Sequence, residues 1–208
     1  MKIQESELYE PVKKFIENRF KCFFACREAG IQRIGSVDVF GVRHKNAEKS
    51  EIETIGVEVK IDKIPLSANF GQARGYSVFC DKMYFASLNI DEEDLKIARF
   101  LGIGLIKIEG EYPDFVCSKF LEAPTSVAIT EMRYYVLKYK RVFQCESCKV
   151  FQHYQRNQYV ETESSRDKIT NWTKEQVIKK DKGLRIGRKD RKEFYCNKCA
   201  KNELKRKT

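Results

Sequence analysis

The chain has 208 residues, of which 42% are hydrophobic and 34% are charged. This length and composition fit a globular protein with one good-sized core and room for a smaller second part. No apolar run approaches the roughly 20 residues that span a bilayer, and the first ten residues lack the apolar segment of a signal peptide. The sequence therefore argues against a membrane partner and predicts a cytoplasmic protein.

The formal net charge is +10, and it is unevenly distributed. Residues 138–208 hold 21 Lys and Arg against 9 Asp and Glu, a net charge of +12, which leaves −2 for residues 1–137. We therefore predict one domain over residues 1–137 and a basic module over residues 138–208. Such asymmetry is typical of a protein with a polyanionic partner, most simply DNA. The last few basic residues, Lys201 to Lys207, are better explained as a solvated tail.

The pattern of apolar residues predicts alternating helices and strands. A helix is expected from Glu5 to about Arg19, because Leu8, Val12 and Ile16 recur at helical spacing. The later predicted strands are residues 21–27, 36–40, 54–61, 82–88 and 103–108, and the later predicted helices are 67–79, 92–101 and 126–139. The first three strands suggest an antiparallel meander, and the whole order predicts an α/β fold, a mixed sheet with helices on both faces.

Charged residues interrupt two of these strands. Alternation along residues 54–61 puts Glu58 and Lys60 on the same side of a predicted central strand. Asp38 lies between two valines of the preceding strand, so the two carboxylates approach each other if the strands are neighbours. Mg²⁺ or Mn²⁺ would relieve their repulsion by oxygen ligation, and Lys60 could hold a water or stabilise charge on a phosphate. The alternative is a solvated salt bridge between Glu58 and Lys60.

Three further residues are candidates for the same site. Glu5 falls on the apolar side of the first predicted helix, which suggests a partner in the acidic site, although an acid favoured by the helix dipole explains it equally well. Gln72 and Tyr76 share one face of a later helix and could contact a phosphate or a base. Taken alone, that pair is explained well enough by helix propensity.

Together these residues resemble the PD-(D/E)XK nuclease superfamily, which has the restriction-endonuclease-like fold. The matching positions are Asp38 and Glu58-Val59-Lys60, and Gln72-Ala73-Arg74-Gly75-Tyr76 is similar to the Gln-x-x-x-Tyr motif of the RecB-type branch. Glu5 resembles the first-helix glutamate of archaeal Holliday-junction resolvases. Val37 stands where the superfamily often has proline.

The resemblance covers residues 5 to 110 and implies a Mg²⁺- or Mn²⁺-dependent deoxyribonuclease. It implies that Asp38, Glu58 and the Val59 carbonyl ligate the metal. It also implies that Lys60 positions the attacking water and that Glu5 reaches the metal or its water shell.

Four cysteines in the basic module form two Cys-x-x-Cys pairs, Cys145 with Cys148 and Cys196 with Cys199. Each pair can form a tight turn that presents two thiolates to one tetrahedral Zn²⁺. The sequence therefore predicts a structural zinc site in a zinc-ribbon-like module, with an iron–sulfur cluster as the less favoured alternative. His153 is expected to be a surface residue. The remaining cysteines are expected to be core thiols: Cys22, Cys26, Cys80 and Cys117.

Aromatic and basic residues alternate around the cysteine pairs. They can stack on bases and hold phosphates, or they can form the small core of a metal-stapled module, and the sequence favours neither. The aromatic residues concerned are Phe143, Phe151, Tyr154, Tyr159, Trp172, Phe194 and Tyr195, and a basic segment runs from Lys179 to Lys192.

The alternative to a nuclease is a non-catalytic nucleic-acid-binding protein or a subunit of a DNA-processing complex. The sequence leaves open whether the chain forms a homodimer, and whether its DNA is single-stranded, double-stranded or branched.

Overall fold

The computed structural model describes residues 3–32, 34–61, 69–126, 128–153, 159–163, 192–196 and 199. The chain divides into two compact units. The first contains Met1–Lys45 and Ile52–Leu137, and the second contains Asn46–Glu51 and Lys138–Thr208. The predicted boundary lies after residue 137, and the place of the loop 46–51 in the second unit was not predicted.

The first unit is built on a six-stranded mixed sheet, with the strands in sequence order across it. The strands are β1 (Phe24–Ile31), β2 (Gly35–His44), β3 (Ile52–Lys60), β4 (Lys82–Ser87), β5 (Gly104–Glu109) and β6 (Val116–Leu121). Strands β1, β2 and β3 pair antiparallel, which confirms the predicted meander, while β4 runs parallel to β3 and β5 runs parallel to β4. The edge strand β6 pairs antiparallel with β5.

Helices cover both faces of this sheet. They are α1 (Tyr9–Arg19), α2 (Phe70–Tyr76), α3 (Glu92–Leu101) and α4 (Thr130–Tyr139). Helix α1 buries its apolar side chains in one cluster with Val39 of β2 and with Val57 and Val59 of β3. Thr54, whose side chain points to the opposite face of β3, donates a hydrogen bond to the carbonyl of Phe79, in the turn after α2. The arrangement confirms the predicted α/β fold class.

Helix α3 has the predicted bounds. Asp91 and Asp94 form a reciprocal capping box at its start, and Gly102 ends it in a left-handed conformation with φ of 68°. Because glycine has no Cβ and adopts this conformation without strain, Gly102 was a strong sequence signal for the helix end.

The clearest differences from the prediction concern β1, α2 and β6, while several other elements differ by a few residues at their ends. Strand β1 begins at Phe24 rather than residue 21, because Lys21 has a φ of 59° that breaks the extended backbone. Helix α2 ends at Tyr76 rather than residue 79, because two glycines weaken it. After Tyr76 the backbone N–H groups of residues 78 and 79 bond to carbonyls three residues earlier, as in a 3₁₀ turn. Residues 67 and 68 of the predicted helix lie outside the described residues. Strand β6 was not predicted, because most of its side chains are exposed and give no clear alternation.

The second unit contains two short antiparallel pairs. One pair is β7 (Val142–Gln144) with β8 (Phe151–His153), and the other is β9 (Tyr159–Glu163) with β10 (Lys192–Cys196). None of the helices in the described part of the chain combines the length and apolar character that a membrane span requires.

Candidate functional site

The register of β2 and β3 places the two predicted acidic residues side by side. The last paired residues at this end of the ladder are Val39 and Val57, and Asp38 and Glu58 are the next residue on each strand. The Asp38 side chain continues the contact between the strands, because its Oδ2 accepts a 2.7 Å hydrogen bond from the backbone N–H of Val59. The acids therefore meet where the two strands stop pairing.

Glu58 is a buried carboxylate with one unsatisfied oxygen. The residue is 2% exposed. Its Oε1 lies 3.0 Å from Lys60 Nζ, whereas its Oε2 is buried and has no hydrogen-bond partner among the described residues. Burial, reinforced by the charge of Asp38, raises the pKa of Glu58 to about 7, although Lys60 opposes the shift. A buried carboxylate oxygen without a donor is costly unless something else satisfies it.

Lys60 is shared between two acids. In addition to the Glu58 contact, its Nζ lies 3.4 Å from Oε1 of Glu5. Burial acts to lower the pKa of Lys60, but the neighbouring carboxylates of Glu58, Glu5 and Asp38 outweigh it and raise the pKa above its ordinary value. Lys60 is therefore a cation at neutral pH and can donate hydrogen bonds but cannot accept a proton.

Glu5 reaches the site by a different route from the predicted one. It lies in a short 3₁₀ turn, Glu5–Glu7, and α1 begins only at Tyr9. The predicted helix starting at Glu5 was therefore wrong, and so was the helical angle assigned to this residue, since Pro11 sits in the first turn of α1 where its missing N–H costs nothing. The Glu5 carboxylate nevertheless contacts Lys60 and so belongs to the site.

Gln72 and Tyr76, the two predicted site residues on α2, contact each other. Gln72 Nε2 donates a 2.7 Å hydrogen bond to the hydroxyl of Tyr76, and the Tyr76 ring is buried against Gly35 at the start of β2. A Cβ added at Gly35 would lie 2.9 Å from this ring, and the φ of Gly35 is +112°, so only glycine fits there. The hydrogen bonds of the described residues do not link the pair to Asp38, Glu58 or Lys60.

Tyr9 is a site residue that the sequence analysis missed. Its hydroxyl donates a 2.6 Å hydrogen bond to Oδ1 of Asp38. Burial and the Asp38 carboxylate raise the pKa of Tyr9, so the hydroxyl stays protonated as a donor. From the sequence, Tyr9 is one more apolar residue of the first predicted helix. The available signal was that a tyrosine on a buried helix face needs a partner for its hydroxyl.

The four cysteines of the predicted zinc site converge. Their Sγ atoms all lie within 4.8 Å of one another, close to the roughly 3.8 Å edge of a tetrahedron with Zn–S bonds of about 2.3 Å. Cys145 and Cys148 lie in the tight turn between β7 and β8, which the backbone hydrogen bond from Cys145 N–H to the Val150 carbonyl closes. The positive φ of Lys149, 57°, completes this turn. The cluster could bind a metal.

The pKa of the Cys145 thiol is lowered, so this thiol loses its proton more easily than an ordinary cysteine. Burial acts to raise its pKa, but backbone N–H groups of Cys148, Cys196 and Ser147 point at the sulfur and lower the pKa to about 7. The hydrogen bond from Cys196 N–H to Cys145 Sγ, 3.4 Å long, joins the two cysteine pairs directly. Thiolates stabilised in this way are the form that ligates metals.

Some of the other residues singled out in the second unit lie among the described residues, and some do not. His153 is exposed and is not part of the cysteine cluster. Phe143 is buried and Phe151 is half-buried, which favours a core role for these two aromatic residues. Tyr154, Trp172 and residues 179–191 of the basic segment lie outside the described residues.

Of the cysteines in the first unit, Cys22 and Cys80 are buried, while Cys26 and Cys117 are half-buried.

Comparison with known proteins does not assign this chain to a family. No family model matches it, and no curated protein matches it. A protein of unknown function from Silicibacter pomeroyi has a solved structure that aligns over 66% of this chain and 84% of its own, with 19% sequence identity and a TM-score of 0.46.

Proposed function

We propose that the first unit is a Mg²⁺- or Mn²⁺-dependent deoxyribonuclease with the restriction-endonuclease-like fold of the PD-(D/E)XK superfamily. The observation that carries the proposal is the buried Glu58 Oε2, which has no donor among the residues that the structure describes and lies beside a second acid, Asp38. A divalent cation satisfies such an oxygen, and it offsets both the burial and the repulsion from Asp38 that raise the Glu58 pKa.

The donor set fits a hard cation. Two carboxylates from adjacent strand ends and a nearby backbone carbonyl, that of Val59, are oxygen ligands of the kind Mg²⁺ and Mn²⁺ prefer. Glu5 would act through Lys60 or through water, because Lys60 stands between Glu5 and Glu58. When bound, the cation would supply Lewis-acid activation of the scissile phosphodiester and of a water nucleophile.

The protein's own side chains have separate tasks in this proposal. Tyr9 and the Val59 N–H each hold one oxygen of Asp38, which fixes the carboxylate before substrate arrives. Lys60, protonated and held by two acids, donates hydrogen bonds to the attacking water or to a phosphate oxygen as negative charge develops there. The Gln72–Tyr76 pair supports β2 at Gly35, three residues before Asp38.

For the second unit we propose a structural Zn²⁺ bound by Cys145, Cys148, Cys196 and Cys199. Two Cys-x-x-Cys pairs whose four Sγ atoms all lie within 4.8 Å of one another favour one tetrahedral ion over a cluster of several irons. The net charge of +12 over residues 138–208 supports a role for this unit in binding DNA.

The direct test is cleavage of a DNA panel by the zinc-loaded protein with added Mg²⁺ or Mn²⁺. The panel contains single-stranded, duplex and branched DNA, each in linear form, and circular DNA to separate internal cutting from end-dependent cutting. We expect cleavage that Asp38→Asn, Glu58→Gln and Lys60→Ala each abolish and that the exposed control Glu111→Gln retains. The metal-free control omits Mg²⁺ and Mn²⁺ and uses no chelator, because a chelator would also remove zinc.

Two results would contradict the proposal. Cleavage that survives all three substitutions would place the activity elsewhere. Salt-dependent DNA binding without cleavage of any substrate would favour the non-catalytic alternative, a DNA-binding protein built on a nuclease-like scaffold.

A further inference from the structure

An arginine lies at the rim of the acidic site without a role in the proposed chemistry. Arg27 of β1 pairs across the strands with Val39, the neighbour of Asp38. Its guanidinium stacks over the ring of Tyr9, with the Cζ atom 5.2 Å from the ring centroid. Its Nη2 also lies 3.4 Å from the carbonyl of Ser6, the residue after Glu5. Two contacts therefore hold this cation beside the residues that contact Asp38 and Lys60.

The charge of Arg27 is available to a ligand. Arg27 is exposed, and among the described residues its interactions are with a ring and a neutral carbonyl rather than with a carboxylate. Lys60, by contrast, is already engaged by Glu5 and Glu58. The acidic site thus carries one cation committed to its own acids and one cation that faces outward.

A polyanionic substrate needs such a cation. Asp38, Glu58 and Glu5 carry three negative charges when ionised. Lys60 and one divalent ion together only balance these charges, so the site has no excess positive charge to attract a neighbouring phosphate. Arginine presents a planar fork of donors that matches two phosphate oxygens, and stacking on an aromatic ring holds that fork in place before the ligand binds.

We propose that Arg27, held on the Tyr9 ring, binds a backbone phosphate next to the scissile phosphate. The inference rests on the proposed nuclease function and adds a substrate-binding residue to it. Tyr9 then has two positioning tasks, since its hydroxyl orients Asp38 and its ring orients Arg27.

The test is the salt dependence of DNA binding by Arg27→Gln, measured with Mn²⁺ in a Lys60→Ala background so that substrate is not consumed. The matched control is Arg99→Gln, which removes an exposed arginine from the last turn of α3. Loss of one phosphate contact reduces the slope of log Kd against log salt by about 0.7–0.9. We expect this reduction for Arg27→Gln, no reduction for Arg99→Gln, and a slope near that of the parent for Arg27→Lys, which keeps the charge.

Activity and metal affinity provide the second readout. In the active background we expect Arg27→Gln to lower kcat/KM about tenfold at low salt while leaving the Mn²⁺ affinity unchanged. A fall in kcat/KM with a slope equal to that of the Arg99→Gln control would overturn the inference, because it would show a structural role for the arginine.

The failure of this inference is distinguishable from failure of the nuclease proposal. Equal slopes for the two glutamine variants, in a protein that does cleave DNA, overturn the Arg27 role alone. A slope reduction confined to Arg27→Gln, in a protein whose Lys60-containing form cleaves nothing, supports the phosphate contact and overturns the nuclease. Absence of DNA binding overturns both.

Discussion

Tyr9 on α1 and Asp38 on β2 are joined by a hydrogen bond of 2.6 Å, from the tyrosine hydroxyl to the carboxylate. The other Asp38 oxygen accepts from the Val59 backbone, so both oxygens are fixed by donors from different elements. This arrangement ties the first helix to the point where β2 and β3 stop pairing. The orientation of Asp38 is therefore set by the fold before any ligand is present.

Removing the tyrosine hydroxyl tests this relationship. In Tyr9→Phe the ring remains to pack in the core, but Asp38 loses one of its two donors and can rotate. Substitutions of groups that orient a metal ligand typically reduce metal affinity or activity by about 10- to 100-fold, and we expect a loss in that range. Isothermal titration with Mn²⁺ measures it, with the exposed Tyr112→Phe as control. Unchanged Mn²⁺ affinity and unchanged cleavage in Tyr9→Phe would show that this hydrogen bond does not position a ligand.

Glu58 should lower the stability of the metal-free protein. Its pKa is raised from 4.5 to about 7 on folding, so the folded state binds the proton more tightly than the unfolded state. The free energy of unfolding therefore falls as the pH rises from 4.5 to about 7, and the full cost, on the order of 3 kcal/mol, is present above that range. Glu58→Gln removes this cost but also the ion pair with Lys60.

We accordingly expect Glu58→Gln to raise the unfolding free energy by about 1–3 kcal/mol near pH 8 and to change it much less near pH 5. Urea denaturation without Mg²⁺ or Mn²⁺ at the two pH values measures the difference, with Glu111→Gln as the control. A variant that loses cleavage and gains stability is the expected signature of a functional carboxylate. Destabilisation at both pH values would identify Glu58 as part of a structural salt bridge instead.

The affinity for Mn²⁺ should follow the ionisation of Glu58. Because the cation competes with a proton for this carboxylate, the apparent Kd should tighten about tenfold per pH unit below pH 7 and level off above it. Lys60, whose pKa is raised, stays charged throughout this range and does not contribute to the change. Titrations between about pH 6 and pH 8.5 measure the profile. An affinity that is already constant at pH 6 would mean that the ion binds to ordinary surface carboxylates.

The four-cysteine cluster should contain one zinc ion per chain. Cys148→Ser removes an exposed ligand and should lower the zinc content well below one per chain, because a three-thiolate site binds the ion much less tightly. Elemental analysis of the purified protein measures this, and Cys117→Ser, a half-buried thiol of the first unit, should retain full zinc. Iron with visible absorbance, or no metal in the folded protein, would contradict the assignment.

The parts of the fold that the sequence predicted are those with strong local signals. Helix α3 has an acidic cap and a terminal glycine, and β2, β3 and β4 are rich in β-branched and other apolar residues, so local chemistry and tertiary packing agree there. Strand β6 carries no such signal, because it is an exposed edge strand whose pairing with β5 depends on the rest of the sheet.

The candidate site likewise contains residues that the sequence predicted and residues that it did not. Asp38, Glu58 and Lys60 could be found because a charged residue inside an apolar strand is unusual and needs a partner. Tyr9 and Arg27 could not, since a tyrosine in an apolar helix face and an arginine in a strand are common, and only the packing of α1 against β1 and β2 shows what they contact. Glu5 was predicted for a reason that the structure does not support, because the helix it was placed on begins after it.

The most direct measurement of the central claim is a crystal structure of the zinc-loaded protein soaked in Mn²⁺, with anomalous data to locate the ion. We expect one manganese peak bonded to carboxylate oxygens of Asp38 and Glu58, with Glu58 Oε2 as a ligand. A Glu58 still paired with Lys60 at saturating Mn²⁺, with no manganese beside it, would contradict a metal site at these carboxylates.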